Sequence, residues 1–173
     1  MRRYDLTANI YDMRYAEEQE AKYKTALYSM AVEGIVLDVG CGTGLLFSRI
    51  AAEAENVVGV DVSKGLLFQA RKRAGDWRKV DLVQADADHL PFPSDCFNAV
   101  FAFTLLQNMP KPAETLKEIE RAAKQGAYVA VTGLKKIFSM DAFLGLLHQP
   151  GFRLISVETD GGLKCYVAVV VKG

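Results

Sequence analysis

The stretch "VLDVGCGTG", Val36 to Gly44, decides how the rest of the chain is read. A short apolar strand, "IVLDV", runs directly into three alternating glycines, Gly40, Gly42 and Gly44, and a helix is predicted to open from them over "GLLFSRIAAE". Glycine has no Cβ, so the backbone can turn tightly and let a ligand approach its amides at a helix N-terminus. Strand, glycine turn and helix together make a ligand seat for a dinucleotide, a phosphate or another adenosine cofactor. A dinucleotide fingerprint needs Gly-x-Gly-x-x-Gly, and Leu45 stands where its third glycine would be. No Gly-Lys-Ser/Thr follows, which removes a P-loop.

Outward from this turn, strand-like and helix-like patterns alternate, the mark of a parallel sheet wrapped by helices. After "IVLDV", the strands are "VVGVDV", "KVDLVQAD", "NAVFAFTLL" and "AYVAVTGL". Between them, Ser63 is an N-cap for a helix that buries Leu66, Leu67, Ala70 and Ala74. A later helix turns Leu116, Ile119 and Ala123 inward and stops at Gly126, and Ser139 caps "MDAFLGLLHQ". Ahead of the first strand, "AEEQEAKYKTALYSM" puts Tyr15, Tyr23, Leu27 and Met30 on one helical face, with Glu18/Lys22 and Glu20/Lys24 pairs one turn apart. At the end, "FRLISVETD" and "KCYVAVVVKG" are joined by too short a link for a crossover helix, so they form an antiparallel hairpin. The expectation is a doubly wound α/β domain with a mostly parallel sheet.

Two acids close successive strands. Asp61, in "GVDVS", lies where an acidic residue takes both ribose hydroxyls, and Ser63 already fills the helix-cap role. Asp86, in "VQADADHLPF", can accept from an adenine amino group while the Ala87 amide meets a ring nitrogen; Asp88 reads as a solvated loop charge.

The combination of "VLDVGCGTG", "GVDVS", "QADADHLPFPSDCFNAVFAF" and "LKEIERAAKQGAYVAVTGL" resembles the class I S-adenosylmethionine-dependent methyltransferases over nearly the whole chain. The resemblance implies a Rossmann-like, seven-stranded sheet of order 3-2-1-4-5-7-6 with strand 7 antiparallel. It implies residues 1–30 as a leading segment and helix that cap the cofactor site, and 31–173 as the methyltransferase domain. It further implies that Gly40, Cys41, Gly42 and Gly44 surround the methionine part of the cofactor and that the Cys41 carbonyl meets its amino group. Asp38 would steady the loop or reach that amino group through water. Asp61 with Val62 would hold ribose and adenine, Asp86 with Ala87 the adenine edge. The backbone at Phe103 and Thr104 would close the methionine side, and a tyrosine of the leading segment, among Tyr4, Tyr11 and Tyr15, would line the pocket. Asn98 departs from the family's usual aspartate, which affects strand-edge hydrogen bonding only.

Methyl transfer from a sulfonium is mostly a matter of positioning, and a base is needed only where the acceptor must lose a proton. Neither the Asn/Asp-Pro-Pro-aromatic motif of amino-group methylation nor a cysteine pair for pyrimidine carbons is present. The catalytic residue stays unassigned, with Gln107, Asn108, Tyr11 and Tyr15 as candidates; Gln107 and Asn108 end the "FAFTLLQNMP" run at the crevice of the sheet. With no large insertion to serve as a lid, the acceptor is a small molecule enclosed by the N-terminal segment, or RNA or protein engaged with a partner such as a small zinc-binding activator subunit. A nicotinamide oxidoreductase and a non-catalytic cofactor-binding subunit are the competing readings.

Composition bounds these choices. The 173 residues suffice for one domain with a full core. Twenty-one Lys plus Arg balance 21 Asp plus Glu, so no global field holds RNA or an acidic membrane unaided, although Arg71–Arg73 and Lys135–Lys136 are dense local patches. Cys41, Cys96 and Cys165 lack disulfide or zinc spacing, and His89 and His148 have no nearby second ligand, so no metal is expected. Without a signal-peptide pattern or membrane span, a cytoplasmic location is expected.

Overall fold

The computed structural model describes residues 16–148, 151–159 and 162–173. Its elements are α1 (16–28), β1 (Ile35–Val39), α2 (Phe47–Ile50), β2 (Asn56–Asp61), α3 (Lys64–Ala74) and β3 (Val80–Gln84). They continue as β4 (Phe97–Ala102), a 3₁₀ turn (Leu106–Asn108), α4 (Pro112–Ala122), β5 (Ala123–Leu134), α5 (Met140–His148), β6 (Phe152–Glu158) and β7 (Cys165–Lys172). The seven strands form one sheet of order β3-β2-β1-β4-β5-β7-β6. β7 runs antiparallel to both β5 and β6, and the other pairs are parallel. The doubly wound sheet and its antiparallel strand are therefore as the sequence led us to expect.

Alternate residues of each central strand feed opposite faces. Leu37, Val39, Val100 and Ala102 pack with Leu116, Ile119, Phe143 and Leu147 of α4 and α5. Val36, Ala99 and Phe101 pack with Tyr23 and Ala26 of α1, Phe47 and Ile50 of α2, and Ala70 of α3. Phe47 is completely buried, worth about 2–3 kcal/mol of apolar burial. Its ring needs two glycines: a Cβ on Gly44 would lie 2.5 Å from it and one on Gly59 2.7 Å. The close packing that Leu45 cannot supply thus comes partly from β2.

Ser63 accepts the Leu66 amide at 3.3 Å and Ser139 the Ala142 amide at 3.2 Å, so both caps form. Three boundaries differ from expectation. The helix expected from Gly44 to Glu53 is a single α-turn flanked by looser turns. The fourth strand ends at Ala102 rather than Leu106, because the Thr104 amide leaves the ladder for the Thr132 hydroxyl at 2.8 Å and Thr104 takes φ +57°. The fourth helix ends at Ala122, since the carbonyls of Arg121 and Ala122 accept the amides of Asp95 and Cys96 and need no glycine cap. Gly126 instead lies within β5 at φ +77°. Asn98 Oδ1 accepts from the Ile35 amide at 3.1 Å and from Lys124 Nζ at 3.0 Å, tying the starts of β1, β4 and β5. No described helix is long and apolar enough to cross a membrane.

Candidate active site

The strand order reverses around β1, with β2 on one side and β4 on the other, and in open α/β sheets the crevice at such a point is where ligands bind. Here the chain leaves β1 through Gly40, Gly42 and Gly44, at φ +74°, +56° and +76°. Their conformations serve internal bonds. The amides of Gly40 and Cys41 both donate to the Val60 carbonyl, at 2.8 and 2.9 Å, and Gly44 donates to the Cys41 carbonyl at 2.9 Å. The Gly42 amide donates to Asp61 Oδ2 at 2.9 Å. The amides of these four residues are thus already paired within the protein. A Cβ on Gly42 would meet nothing within 4 Å, so the open side of the turn is there.

Carboxylates dominate what the turn presents. Asp38, at 4% exposure, makes no side-chain hydrogen bond among the described residues and borders the cleft beside the glycines. Burial, and then the Asp61 charge, raise its pKa from 3.8 to about 8. Asp61 itself is half-buried and holds two amides, Gly42 on Oδ2 and Ser63 on Oδ1, each at 2.9 Å. It therefore fastens the glycine turn to the start of α3. The Cys41 thiol is buried and pushed well up by burial, Asp38 and Asp61, so it is not poised as a nucleophile.

A small cleft, open to solvent, lies over Asp38 and the turn, with Gln19 and Tyr23 of α1 on one wall and Phe103 on another. The Tyr23 and Phe103 ring centroids are 5.3 Å apart. Thr104 is the anchor between α1 and the sheet. Its hydroxyl accepts from Gln19 Nε2 at 3.1 Å and from Lys22 Nζ at 3.2 Å, and its carbonyl accepts from Asn108 Nδ2 at 2.8 Å. Lys22, at 4% exposure, also pairs with Glu18 at 3.1 Å. Sequence reasoning missed Gln19 and Lys22 because both fall in a run that looks like a solvated helix face. The only signal was helical spacing, Gln19 four residues from Tyr23 and Lys22 seven from Tyr15, on the face assigned to the core.

The remaining described candidates are not among the residues that line this cleft. Val62 is 49% exposed just beyond Asp61, and Ala87 is buried after Asp86. Asp86 is exposed and its Oδ1 accepts the Asp88 amide at 3.0 Å. Asp88, read as a solvated charge, is instead half-buried and bound by the Thr115 hydroxyl at 2.5 Å. Of the two polar residues ending "FAFTLLQNMP", Asn108 is occupied in the turn through Thr104. Gln107 Oε1 is buried with no hydrogen-bond partner among the described residues. Tyr4, Tyr11 and Tyr15 lie outside the described residues. Among the described residues, no three His, Cys, Asp or Glu side chains gather as a metal site.

Comparison with known proteins gives this geometry a context. The family described as a methyltransferase domain matches residues 37–131. A demethylmenaquinone methyltransferase of Clavibacter sepedonicus is 36% identical over 96 residues, 56% of this chain and 39% of that protein. A phosphatidylethanolamine N-methyltransferase of Cereibacter sphaeroides is 33% identical over 129 residues, 70% of this chain and 62% of that one. The chain thus spans between 39% and 62% of the length of these curated relatives. Among solved structures, the complex of the Haloferax volcanii Trm112 methyltransferase activator with a methyltransferase matches at a TM-score of 0.81, covering 98% of this chain and 97% of that one at 20% identity.

Proposed function

The chain belongs to the methyltransferase domain family, and from that premise we propose that it is an S-adenosylmethionine-dependent methyltransferase acting on a small lipophilic acceptor. The observation that carries the cofactor reading is the sign of the site. The amides of Gly40, Cys41, Gly42 and Gly44 are spent on protein acceptors, while the Asp38 carboxyl, buried and with no hydrogen bond among the described residues, borders the cleft. Such a site disfavours a pyrophosphate and suits a ligand bearing an ammonium and a sulfonium. Asp38 would hold the ammonium with the second lone pair of the Cys41 carbonyl. Asp61 would accept the ribose hydroxyls, and Val62, Asp86 and Ala87 would surround the adenine. Phe103, Thr104, Gln19 and Tyr23 would enclose the methionine end, with Tyr15 a further candidate.

When bound, the cofactor supplies an electrophilic methyl on a good leaving group, so the chain's own task is to orient the acceptor and exclude water. Gln107 Oε1 suits the first part, as a buried acceptor atom still lacking a donor. Gln107→Leu is expected to leave the melting temperature unchanged or raised and cofactor affinity intact, since it deletes an unsatisfied polar atom. It should lower transfer at least tenfold; full activity would return Gln107 to a packing role.

The small-acceptor reading draws on α1, which walls one side of the cleft, and on relatives named for demethylmenaquinone and phosphatidylethanolamine. Calorimetric titration with S-adenosylmethionine, S-adenosylhomocysteine and NAD tests the cofactor: saturable binding of the first two and none of NAD is expected. Incubating the protein and tritiated cofactor with cell extract should then put label in the organic-solvent fraction. Label in RNA or protein would overturn the acceptor class, and no transfer at all would favour a non-catalytic cofactor-binding subunit. A second reading, dependence on an activator subunit, is favoured by the fold likeness to the Trm112-bound methyltransferase. An active, monodisperse monomer would count against it. A cytoplasmic location fits either reading.

A further inference from the structure

The chain-wide charge balance conceals a strong local field. Residues 64–79, "KGLLFQARKRAGDWRK", carry six of the 21 basic residues and only one of the 21 acidic ones, leaving the rest of the chain acidic. In the fold this segment is α3 and the turn into the edge strand β3. Leu66, Ala70 and Ala74 are buried against the sheet, so Lys64, Phe68, Arg71 and Lys72 form a stripe on the opposite, exposed face. Trp77, Arg78 and Lys79 extend the stripe beyond the helix, all exposed. Among the described residues, none of Lys64, Arg71, Lys72, Arg78 and Lys79 is ion-paired to a carboxylate. Large apolar side chains stand among these charges: Val62 at the head of the helix, Phe68 at 60% exposure and Trp77 at 41%.

We propose that this face docks the protein on an anionic lipid bilayer. Cations interleaved with exposed Phe and Trp suit a bilayer interface, where the apolar groups enter the headgroup region and the charges meet anionic lipids. Each cation near such a surface raises partition roughly fivefold. A nucleic-acid surface fits less well. The stripe follows a convex helix rather than a groove, and one face of the Phe68 ring is covered by Lys72 Nζ at 4.5 Å, where a base would stack. The head of the stripe, Val62 and Lys64, adjoins Asp61, so docking would bring the cleft's edge to the lipid surface. This last step rests on the reading of a lipophilic acceptor.

Trp77 is the only tryptophan of the chain and reports directly on the proposed contact. Its emission should shift to the blue, and the full chain should co-sediment, with phosphatidylcholine vesicles carrying roughly one phosphatidylglycerol in three. Neither should occur with phosphatidylcholine alone, and added salt should weaken the binding. The Lys72→Glu/Arg78→Glu double variant should lose at least tenfold in partition, and Phe68→Ser severalfold with the salt response retained. Both should keep normal cofactor affinity and melting temperature. Equal binding to both vesicles, binding to neither, or a Trp77 response to single-stranded RNA in place of vesicles would each overturn the proposal. The vesicle assay needs no turnover: label in extractable lipid without vesicle binding sinks the docking alone, and vesicle binding with label in RNA or protein sinks the acceptor reading alone.

Discussion

Replacing Asp61 with alanine is expected to cost the protein both its cofactor and part of its stability. The carboxylate accepts the Gly42 and Ser63 amides, each at 2.9 Å, and so joins the glycine turn to α3 across nineteen residues of chain. Hydrogen bonds to a charged acceptor contribute about 1.5–3 kcal/mol each, and both amides would be left to whatever water can reach them. Gly42, held at φ +56° with open space beside it, has among the described residues only the long Cys41 Sγ contact to its carbonyl, at 3.9 Å, as a further tether. A stability loss of about 2–4 kcal/mol is therefore expected in urea titration. If the same oxygens also accept the ribose hydroxyls, S-adenosylhomocysteine affinity should fall at least 100-fold, about 2.7 kcal/mol by calorimetry. Asp61→Asn should be intermediate, because one oxygen remains while the new amide group opposes a backbone donor. Unchanged affinity in the alanine variant would remove Asp61 from the cofactor site and leave it only the structural role.

The expectation about Asp61 shows what sequence could and could not supply. Its place at the end of β2 followed from strand periodicity and the terminal hairpin from the short link before Lys164, whereas the sheet order came from the family resemblance. Its dual use did not, because a bond from a carboxylate to an amide nineteen residues upstream leaves no local pattern. The same holds for Thr104, whose hydroxyl meets Gln19 and Lys22 from 85 and 82 residues away. In the sequence, Glu18 and Lys22 form a supportive pair one turn apart; in the fold Lys22 is buried by its bond to Thr104 while Glu18 stays partly exposed. Short elements were also illegible. The turn-rich stretch after Gly44 carries helical periodicity, yet the buried Phe47 ring and the close glycines hold it to one α-turn. Periodicity reports which face is apolar, and it is silent on how far a segment continues once its ends are fixed by distant partners. Net charge failed similarly, by averaging the α3 stripe against acids elsewhere.

Asp38 should make both folding and cofactor binding depend on pH, with opposite signs. Its pKa is 3.8 as an ordinary aspartate and about 8 in the fold, raised by burial first and by Asp61 second. Between these values the folded chain binds a proton that the unfolded chain does not. Stability is thus fully present below about pH 4, falls by about 1.4 kcal/mol per pH unit as pH rises, and levels off above pH 8. The whole span is on the order of 5 kcal/mol, against typical total stabilities of about 5–15. Asp38→Asn cannot ionise, so its advantage over the parent protein should be small at pH 5 and largest near pH 9, read from urea midpoints at constant slope. Binding runs the other way. An ammonium and a sulfonium beside Asp38 favour the carboxylate, so the free protein must release a proton to bind them. Cofactor affinity should then rise by up to about tenfold per unit between pH 6 and 7.5, with proton release visible as a dependence of the calorimetric heat on the buffer. Asp38→Asn should bind weakly and lose this slope. A parent protein whose affinity and heat ignore pH and buffer would mean that Asp38 stays protonated in the complex. Its part would then be to steady the glycine turn as a neutral donor, and the charge of the cleft would rest on Asp61 alone.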